Sequence, residues 1–378
     1  MAHAIDPDSP RFARQRVLPG FGAEGQRGLA EAHVVVLGAG GLGSAVVPAL
    51  VAAGIGRVTV VDDDRVEVTN LHRQTLHTPA DVGRTKVESA TDAAAALSPE
   101  TLVRPVALRF DAGNADELLA GADLVIDGTD DILTRYVADD ATARAGIPLV
   151  WGSAAKFSGQ VGVSWDARGI TYRDLFPEPP ADAGLSCEID GILPTVCTVT
   201  GGMMAGEALK LLTGIGEPLL GRVIVYDALS GRTREIVYKR ATDAAAGAGG
   251  LDTRASLATR PPAESRATRP PGEAGEVDAA ALADELASDA PPVLLDVRES
   301  WEADIATISG STLIPLGELA DRIGELEPAA SVVVYCHLGV RSEYAARQLA
   351  GAGFGRVRNL AGGIDAWSRT VDLAVARY

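Results

Sequence analysis

HVVVLGAGGLG, residues 33–43, joins a short apolar run to a glycine-rich turn. The run His33–Leu37 is typical of a buried parallel strand, and glycine lets the following turn bring backbone amides and a helix N-terminus close to phosphate. The stretch therefore predicts a nucleotide-binding α/β sheet. On its own it fits proteins that bind NAD, FAD, S-adenosylmethionine or ATP. The candidate cofactor-binding glycines are Gly38, Gly40, Gly41 and Gly43.

Predicted strands and helices alternate after this turn. The second strand, Arg57–Val61, closes on an acidic residue, Asp62. Further apolar segments predict strands over 123–126 and 148–151 and helices over 44–53, 86–96, 135–145 and 203–212. Such alternation is typical of a doubly wound, Rossmann-like α/β sheet.

Composition limits the class of protein. At 378 residues the chain is long enough for two domains. Acidic residues outnumber basic ones, 51 against 34, and the net charge of −17 disfavours binding to nucleic acid or an anionic membrane. The sequence shows no signal peptide and no apolar run long enough to span a membrane, so we expect a cytoplasmic protein.

The domain boundary is also predicted from composition. Residues 241–276 are rich in Ala, Gly and Pro without a periodic apolar face, which is typical of a flexible linker. This linker separates a first domain over 1–240 from a small α/β domain over 277–378. Predicted elements of the second domain are strands over 293–297 and 331–336 and helices over 280–287 and 342–352.

A polar cluster after the second strand favours ATP among the nucleotides. Asp62 is placed to bind ribose hydroxyls and begins a run of three aspartates that includes Asp64. Asn70, Arg73 and Lys86 supply the hydrogen bonds and positive charge that a triphosphate needs, and carboxylates can hold Mg²⁺. A dehydrogenase has no need of this cluster, so the combination indicates ATP and Mg²⁺.

From about Arg11 to Lys239 the chain resembles the family that includes molybdopterin-synthase adenylyltransferases, thiazole-pathway adenylyltransferases and ubiquitin-activating enzymes. The motifs that carry the resemblance are Arg11-Phe-Ala-Arg14-Gln15, the glycine turn, Asp62 through Gln74, Gly83-Arg-Thr-Lys86 and Asp127-Gly-Thr129-Asp130. The resemblance implies that ATP contacts Gly41, Asp62, Asn70, Arg73 and Lys86. It implies as a substrate a small ubiquitin-like sulfur-carrier protein ending in Gly-Gly.

Three further roles follow from the resemblance. Asp130 would organise Mg²⁺ and the adenylylation chemistry, with Asp131 beside it in the nucleotide site. Arg14 would reach into the site of a neighbouring subunit, which implies a homodimer. Cys187 falls where the family has a cysteine in a mobile loop, which in some members links covalently to the carrier; the alternative is an inert loop thiol.

Several positions depart from the family. Many relatives hold a structural zinc with two Cys-x-x-Cys pairs, but Thr171 and Asp174 occupy the first pair here. Because only two cysteines lie in this domain and the ligand spacing is absent, we predict no zinc. Asp131 stands where relatives commonly carry Asn, which puts the local hydrogen bonds in question. Cys197, in an apolar helical context, is assigned a packing role only.

Cys336 is the predicted sulfur nucleophile of the second domain. It opens the loop Cys336-His-Leu-Gly-Val-Arg341-Ser342, whose amides and following helix N-terminus would surround the sulfur. A thiolate there can accept sulfur from a donor and carry it as a persulfide, stabilised by these amides and by Arg341.

From about Asp278 onward the chain resembles the rhodanese family. The resemblance rests on Asp296-Val-Arg298-Glu299, Trp301-Glu302, Ile314-Pro315, the cysteine loop and Gly362-Gly363-Ile364-x-Ala-Trp367. Related phosphatases have one more residue between cysteine and arginine than the four found here, so persulfide is favoured over phosphate. An inactive docking domain is the alternative, but such domains often lose the cysteine.

These observations lead to one main hypothesis. The first domain adenylylates the terminal glycine of the carrier, and the Cys336 persulfide then attacks the adenylate, which leads to a thiocarboxylate. The sulfur donor could be a cysteine desulfurase or thiosulfate, and the carrier could serve molybdenum cofactor, cysteine, thiamine or tRNA thiolation. The alternatives are an NAD-dependent oxidoreductase with a regulatory rhodanese-like domain and a non-catalytic scaffold for a ubiquitin-like partner.

Overall fold

The computed structural model describes residues 5–179, 191–240, 275–288 and 290–377. The chain divides into two compact units, Met1–Gly247 and Ala248–Tyr378. Cys187 and most of the segment predicted as a linker lie outside the described residues. None of the described helices combines the length and the apolar character needed to cross a membrane.

The first unit is built on an eight-stranded sheet with the order β3-β2-β1-β4-β5-β6-β7-β8. The strands from β3 to β5 in that order are parallel, and the strands from β5 to β8 pair antiparallel. The strands are β1 (His33–Leu37), β2 (Arg57–Val61), β3 (Leu102–Val106), β4 (Leu124–Asp127), β5 (Leu149–Ala155), β6 (Ser158–Ser164), β7 (Arg222–Asp227) and β8 (Arg232–Val237).

Helices cover both faces of this sheet. Val34 and Val36 of β1 belong to one buried apolar cluster, and Val35 and Leu37 belong to another, so every residue of the strand is buried. A strand buried on both faces is expected in a parallel sheet, and the doubly wound prediction is confirmed. The helices are α1 (Ala13–Arg16), α2 (Gly22–Glu31), α3 (Gly43–Ala53), α4 (Lys86–Leu97), α5 (Ala115–Leu118), α6 (Ile132–Ala145) and α7 (Pro194–Thr213).

The strand order fixes where a ligand can bind. The chain leaves β1 toward β2 on one side, whereas β4 lies on the other side of β1. In open α/β sheets the crevice at such a reversal, outside the carboxyl ends of the strands, is the usual ligand site. The glycine turn follows β1, and the segment containing Asp130 follows β4, so both meet at this crevice.

One helix is longer than the sequence pattern predicted. The predicted helix over 203–212 is the second half of α7, a continuous helix of 20 residues. The pair Gly201-Gly202 weakened the helical pattern, because glycine has low helix propensity. A Cβ on Gly201 would lie under 3.0 Å from the Leu42 carbonyl oxygen, so glycine permits α7 to pack closely against the start of α3.

The second unit is a five-stranded parallel sheet with the order β11-β10-β12-β13-β9. Apolar clusters lie on both faces of its central strand, β12. The strands are β9 (Gly275–Val277), β10 (Val293–Asp296), β11 (Thr312–Leu313), β12 (Ser331–Tyr335) and β13 (Arg356–Leu360). The helices are α8 (Ala279–Leu286), α9 (Ser300–Ile305), α10 (Leu319–Arg322), α11 (Val340–Gly351) and α12 (Gly363–Thr370).

The first strand of this unit begins inside the predicted linker. Gly275 and Glu276 were assigned to the linker, but both belong to β9 and pair with Arg358 and Asn359 of β13. Three residues are too few to show a strand period in the sequence. The pairing with β13 therefore could not be predicted from composition.

Candidate functional site

A cavity of about 810 Å³ opens at the carboxyl ends of β1, β2 and β4, a size suited to a small-molecule ligand. It brings together most of the residues predicted from sequence. Those that line it are Gly38, Gly40, Gly41, Asp62, Asp64, Asn70, Arg73, Lys86, Asp130 and Asp131. Arg14 does not line this cavity and is exposed on α1, so its role toward a neighbouring subunit stays a prediction.

The glycine turn is held against both strands and the following helix. Gly38 adopts φ +87, and its N–H donates to the Val61 carbonyl over 2.9 Å. Gly43, the first residue of α3, lies so close to this turn that a Cβ would fall under 3.0 Å from the Gly38 carbonyl oxygen. The N-terminus of α3 thus begins at the cavity, where its dipole favours an anion such as phosphate.

Asp62 connects the glycine turn to the aspartate run. Its carboxylate accepts hydrogen bonds from the N–H groups of Ala39, over 2.7 Å, and Asp64, over 2.9 Å. Burial raises the pKa of Asp62, and the charge of Lys86 together with these two amides only partly offsets the effect. The Lys86 ammonium itself is buried and lies 2.7 Å from the Asp64 carboxylate. A cation is therefore held at the cavity wall.

The raised pKa of Asp62 predicts how ATP binding depends on pH. The carboxylate accepts the two amide hydrogen bonds more strongly than the protonated acid does, so protonation would loosen the glycine turn as the pH falls. We expect ATP affinity to weaken at a higher pH than an ordinary aspartate would give. Lys86→Met should move this acid limb to still higher pH, because it removes the charge that favours the carboxylate. Calorimetric ATP titrations across pH measure the acid limb of the wild type and that of Lys86→Met. If the two limbs coincide, the loss of affinity at low pH does not come from the protonation of Asp62.

A buried ion pair positions the segment that carries Asp130. Asp127 at the end of β4 is fully buried, and its carboxylate lies 2.6 Å from Nε of Arg135. The same carboxylate accepts the N–H and the hydroxyl of Thr129, and Arg135 donates to the Thr129 carbonyl over 3.1 Å. Asp130 follows this locked turn, is exposed and lines the cavity. The sequence analysis missed Arg135, since its role depends on the buried partner.

Asp131 begins α6. Its carboxylate caps the helix by accepting a hydrogen bond from the Leu133 N–H over 2.9 Å. It also accepts hydrogen bonds from the Thr134 hydroxyl and the Arg109 guanidinium. Burial would raise the pKa of Asp131, but these hydrogen bonds outweigh it and lower the pKa. Asp and Asn are both good helix caps, and the aspartate at this position caps the helix.

His77 is a further residue that the sequence analysis missed. Its Nε2 donates to the Ala39 carbonyl over 2.9 Å, so its Nδ1 accepts from the Ser89 hydroxyl over 2.8 Å. Burial lowers the pKa of His77, which keeps the ring neutral in this arrangement. The ring thereby ties the glycine turn to α4, the helix that begins with Lys86. The one signal for His77 in the sequence is its position shortly after the polar cluster that ends at Gln74.

Cys197 lines the same cavity, although it is buried. A Cβ on Gly41 would fall 2.6 Å from its sulfur, so the cysteine packs directly beneath the glycine turn. Burial raises the pKa of Cys197, and the positive charge of Arg73 offsets only part of this increase. A thiol kept protonated is a poor nucleophile, in line with the packing role assigned to it.

The residues at the position of the family's zinc do not fit that metal. The Asp174 carboxylate accepts the N–H of Thr171 over 2.7 Å and its hydroxyl over 3.0 Å, forming a capping box. These two side chains thus satisfy one another, whereas a structural zinc site needs thiolate or imidazole ligands. A hydrogen-bonded turn stands where relatives place the first cysteine pair.

In the second unit, Cys336 follows β12 and is buried. Its sulfur accepts the Gly339 N–H over 3.1 Å. The Ser342 hydroxyl lies 3.3 Å from the sulfur and 3.0 Å from the Gly339 carbonyl, and its single hydrogen can be donated to either acceptor. Gly339, at φ +100, forms the N-cap of α11, so the helix N-terminus is directed at the loop. Of the loop amides expected to surround the sulfur, the Gly339 N–H donates to it, and the sequence analysis did not identify the neighbouring Ser342 hydroxyl.

The loop is fixed from the side of α12. Ile364 donates its N–H to the Cys336 carbonyl over 2.9 Å, and Asp365 donates to the His337 carbonyl over 3.1 Å. A Cβ on Gly363 would fall under 3.0 Å from both carbonyl oxygens. This close approach explains why glycine stands at position 363, the first residue of the helix.

Arg341, which was expected to help stabilise a persulfide, is paired with a carboxylate of α9. Its guanidinium binds the buried Glu302 carboxylate through two hydrogen bonds of 2.6 Å each. Fork-like pairs of this kind are strong and geometrically specific. Arg341 therefore anchors the loop to α9, and its contribution to stabilising a persulfide stays a prediction.

Comparison with known proteins gives two family matches. The ThiF family matches residues 12–246, and the rhodanese-like domain matches residues 278–370. A probable adenylyltransferase/sulfurtransferase MoeZ of Mycobacterium tuberculosis is 39% identical, covering 97% of this chain and 95% of the relative. Adenylyltransferase and sulfurtransferase MOCS3-1 of Zea mays is 36% identical, covering 96% of this chain and 82% of the relative.

Two further similarities concern the first unit. A sulfur carrier protein adenylyltransferase of Thermus thermophilus is 46% identical, covering 61% of this chain and 87% of the relative. Among solved structures, E. coli MccB with MccA-N7isoASN matches with a TM-score of 0.55 and 23% identity, covering 63% of this chain and 74% of that chain. The structural match supports the fold.

Proposed function

Because the chain belongs to the ThiF family and carries a rhodanese-like domain, it is an adenylyltransferase and sulfurtransferase, and we propose that it converts the C-terminal carboxylate of a ubiquitin-like sulfur carrier into a thiocarboxylate. The observation that carries the proposal is the presence, in one chain, of a nucleotide-sized cavity and a cysteine loop that donates a hydrogen bond to Cys336. Each supplies one half of the reaction.

The first half joins two anions. The carrier carboxylate attacks the α-phosphate of ATP, which forms an acyl-adenylate and releases pyrophosphate. Arg73 and Lys86 at the cavity would screen the repulsion and stabilise the charge that develops on the leaving group. Arg14, exposed on α1, would complete the site from the second copy of a homodimer.

Mg²⁺ fits the oxygen-rich wall of the same cavity. The carboxylates of Asp62, Asp63 and Asp64 lie together, and Asp130 lines the cavity after β4. Carboxylate oxygens are the ligands that this hard cation prefers, and Asp130 is the proposed principal ligand. The ion would neutralise charge on the phosphates when bound.

The second half transfers sulfur. The persulfide of Cys336 attacks the acyl carbon, so that a C–S bond forms and AMP leaves with the electron pair of the C–O bond. A second thiol then attacks the sulfur of Cys336, which releases the thiocarboxylate and leaves a disulfide for an external reductant to cleave. Cys187 is the proposed second thiol within this chain.

The intact mass of the carrier tests the proposal. A Gly-Gly-ended carrier incubated with the full chain, Mg-ATP and a sulfur donor should gain the mass difference of one oxygen replaced by sulfur. Omission of ATP should prevent the gain, because the carboxylate is then not activated. Omission of the sulfur donor should leave pyrophosphate release but no sulfur gain. Sulfur gain without ATP would overturn the proposed order of steps.

The family membership disfavours the oxidoreductase alternative. Absorbance of a nicotinamide cofactor gives a direct check, since we expect no change with this chain. The scaffold alternative predicts ATP binding without pyrophosphate release for any carrier. The cations at the cavity and the hydrogen bond to the Cys336 sulfur favour catalysis instead.

A further inference from the structure

Arg73, one of the cations that line the nucleotide cavity, folds back along its own backbone turn. The N–H groups of Arg73 and Gln74 both donate to the Asn70 carbonyl, over 3.1 Å and 2.9 Å. This turn brings the Thr69 carbonyl within reach of the arginine side chain, and Nη1 of Arg73 donates to that carbonyl over 3.2 Å. The backbone thus holds one corner of the guanidinium.

The neighbouring side chain, His72, supplies a second acceptor to the same nitrogen. Nη1 of Arg73 lies 2.9 Å from Nε2 of His72. A guanidinium can only donate hydrogen bonds, so this contact requires an Nε2 that carries no hydrogen. The imidazole is therefore the neutral tautomer, with its hydrogen on Nδ1.

These two acceptors decide which edge of the guanidinium is left for a ligand. They use both hydrogens of Nη1, whereas Nε and Nη2 make no hydrogen bond within the part of the chain that the structure describes. The Nε–Nη2 edge carries two parallel N–H groups, which match two oxygens of one phosphate. Donors that are ordered before the reaction stabilise developing charge most effectively. The arginine is thus ordered in advance for a phosphate.

The ring of His72 must stay neutral to hold this arrangement. Burial lowers the pKa of His72, and the positive charge of Arg73 lowers it further. Arg73 is the charged group that acts on this exposed ring among the described residues. Protonation would place a hydrogen on Nε2 and a second positive charge beside the guanidinium. The contact is therefore present above the lowered pKa and is lost as the pH falls through it.

We propose that His72 is a positioning residue that holds the Arg73 guanidinium with its Nε–Nη2 edge toward the phosphates of ATP. The inference rests on the proposed function, in which Arg73 stabilises the charge that develops on the leaving pyrophosphate. His72 acts through Arg73, and it is not among the described residues that line the cavity. Because the charge develops in the transition state, loss of this positioning lowers kcat more than it weakens ATP binding.

Two substitutions of His72 test the acceptor. His72→Leu removes it, and kcat for carrier-dependent pyrophosphate release should fall about 10-fold at neutral pH, with little change in the KM for ATP. His72→Gln places an amide oxygen near the position of Nε2 and should restore most of the rate. Thermal unfolding should be unchanged in both, because His72 is exposed. A wild-type kcat in His72→Leu would overturn the inference.

The pH profile of kcat supplies a readout that a purely structural role would not change. At saturating ATP, which removes the effect of weaker ATP binding, kcat of the wild type should fall as the pH drops through the lowered pKa of His72. His72→Gln should keep its rate to lower pH, because an amide oxygen accepts at any pH. Identical acid limbs in the two proteins would contradict the role of the neutral ring.

A double-mutant cycle tests whether His72 acts through Arg73. Lysine has a single nitrogen and no edge to orient, so His72→Leu should cause no further loss in an Arg73→Lys background. If His72→Leu costs the same factor in both backgrounds, His72 acts independently of Arg73 and the inference is wrong. If the wild type releases no pyrophosphate with any Gly-Gly-ended carrier, the proposed function fails instead.

Discussion

Replacement of Cys336 by alanine is expected to abolish sulfur transfer to the carrier while pyrophosphate release continues. The buried sulfur accepts the Gly339 N–H and lies within reach of the Ser342 hydroxyl, and alanine has no atom that can carry a persulfide. Loss of a nucleophile of this kind costs about 1000-fold or more in rate. Intact mass of the carrier measures the sulfur step, and a pyrophosphate assay measures the adenylylation step.

Cys336→Ser separates chemistry from structure. The hydroxyl retains the size of the side chain and can accept hydrogen bonds from the same groups, yet it cannot hold a transferable sulfur. We expect the same loss of thiocarboxylate as in the alanine variant, with unchanged thermal unfolding. A carrier that still gains sulfur with either variant would remove Cys336 from the mechanism and leave the adenylylation step untouched.

Gly43→Ala should have the opposite effect to the Cys336 variants: it should impair adenylylation and leave the persulfide loading of Cys336 intact. Its Cβ would overlap the Gly38 carbonyl oxygen, and neither atom can rotate away, because the carbonyl is backbone and the backbone fixes the position of the Cβ. The start of α3 must then move relative to the glycine turn, and a displacement of about 1 Å at a reacting site can cost about 100-fold. We expect carrier-dependent pyrophosphate release to fall by about that factor, with an increased KM for ATP.

Gly202→Ala is the matched control for this substitution. Gly202 lies on α7 with open space around its missing Cβ, so alanine should leave ATP use unchanged and slightly favour the helix. Persulfide loading of Cys336 in Gly43→Ala provides a second control, because the sulfur loop belongs to the other unit. A wild-type KM for ATP in Gly43→Ala would show that the close contact with Gly38 is dispensable.

The parts of the site that were predicted from the sequence are those encoded over short distances along the chain. The glycine turn, the aspartate run that begins at Asp62 and the Cys336 loop each combine residue types that serve one local conformation. The two buried strands before the glycine turn and the cysteine loop were predicted because apolar runs of this length are typical of parallel sheets. Elements without such runs, including the exposed edge strands β3 and β8, were not predicted.

Other features depend on residues that are distant in sequence. His77 meets the Ala39 carbonyl across 38 positions, and Arg341 meets Glu302 across 39. No local pattern reveals such partners, since a hydrogen bond is decided by which groups the packed elements place within about 3 Å of each other. For this reason the pairing of Arg341 with Glu302 was not predicted.

The amino-acid sequence alone therefore established the two α/β units, the nucleotide-binding crevice and the reactive cysteine, because backbone turns and strand periods are local properties. Tertiary structure established which charges are paired with one another. Lys86 lines the nucleotide cavity in an ion pair with Asp64, and Arg298 and Arg341 near Cys336 are paired with Asp296 and Glu302. The physical reason is that the effective charge of a side chain depends on its partners and burial, which exist only once the chain is folded.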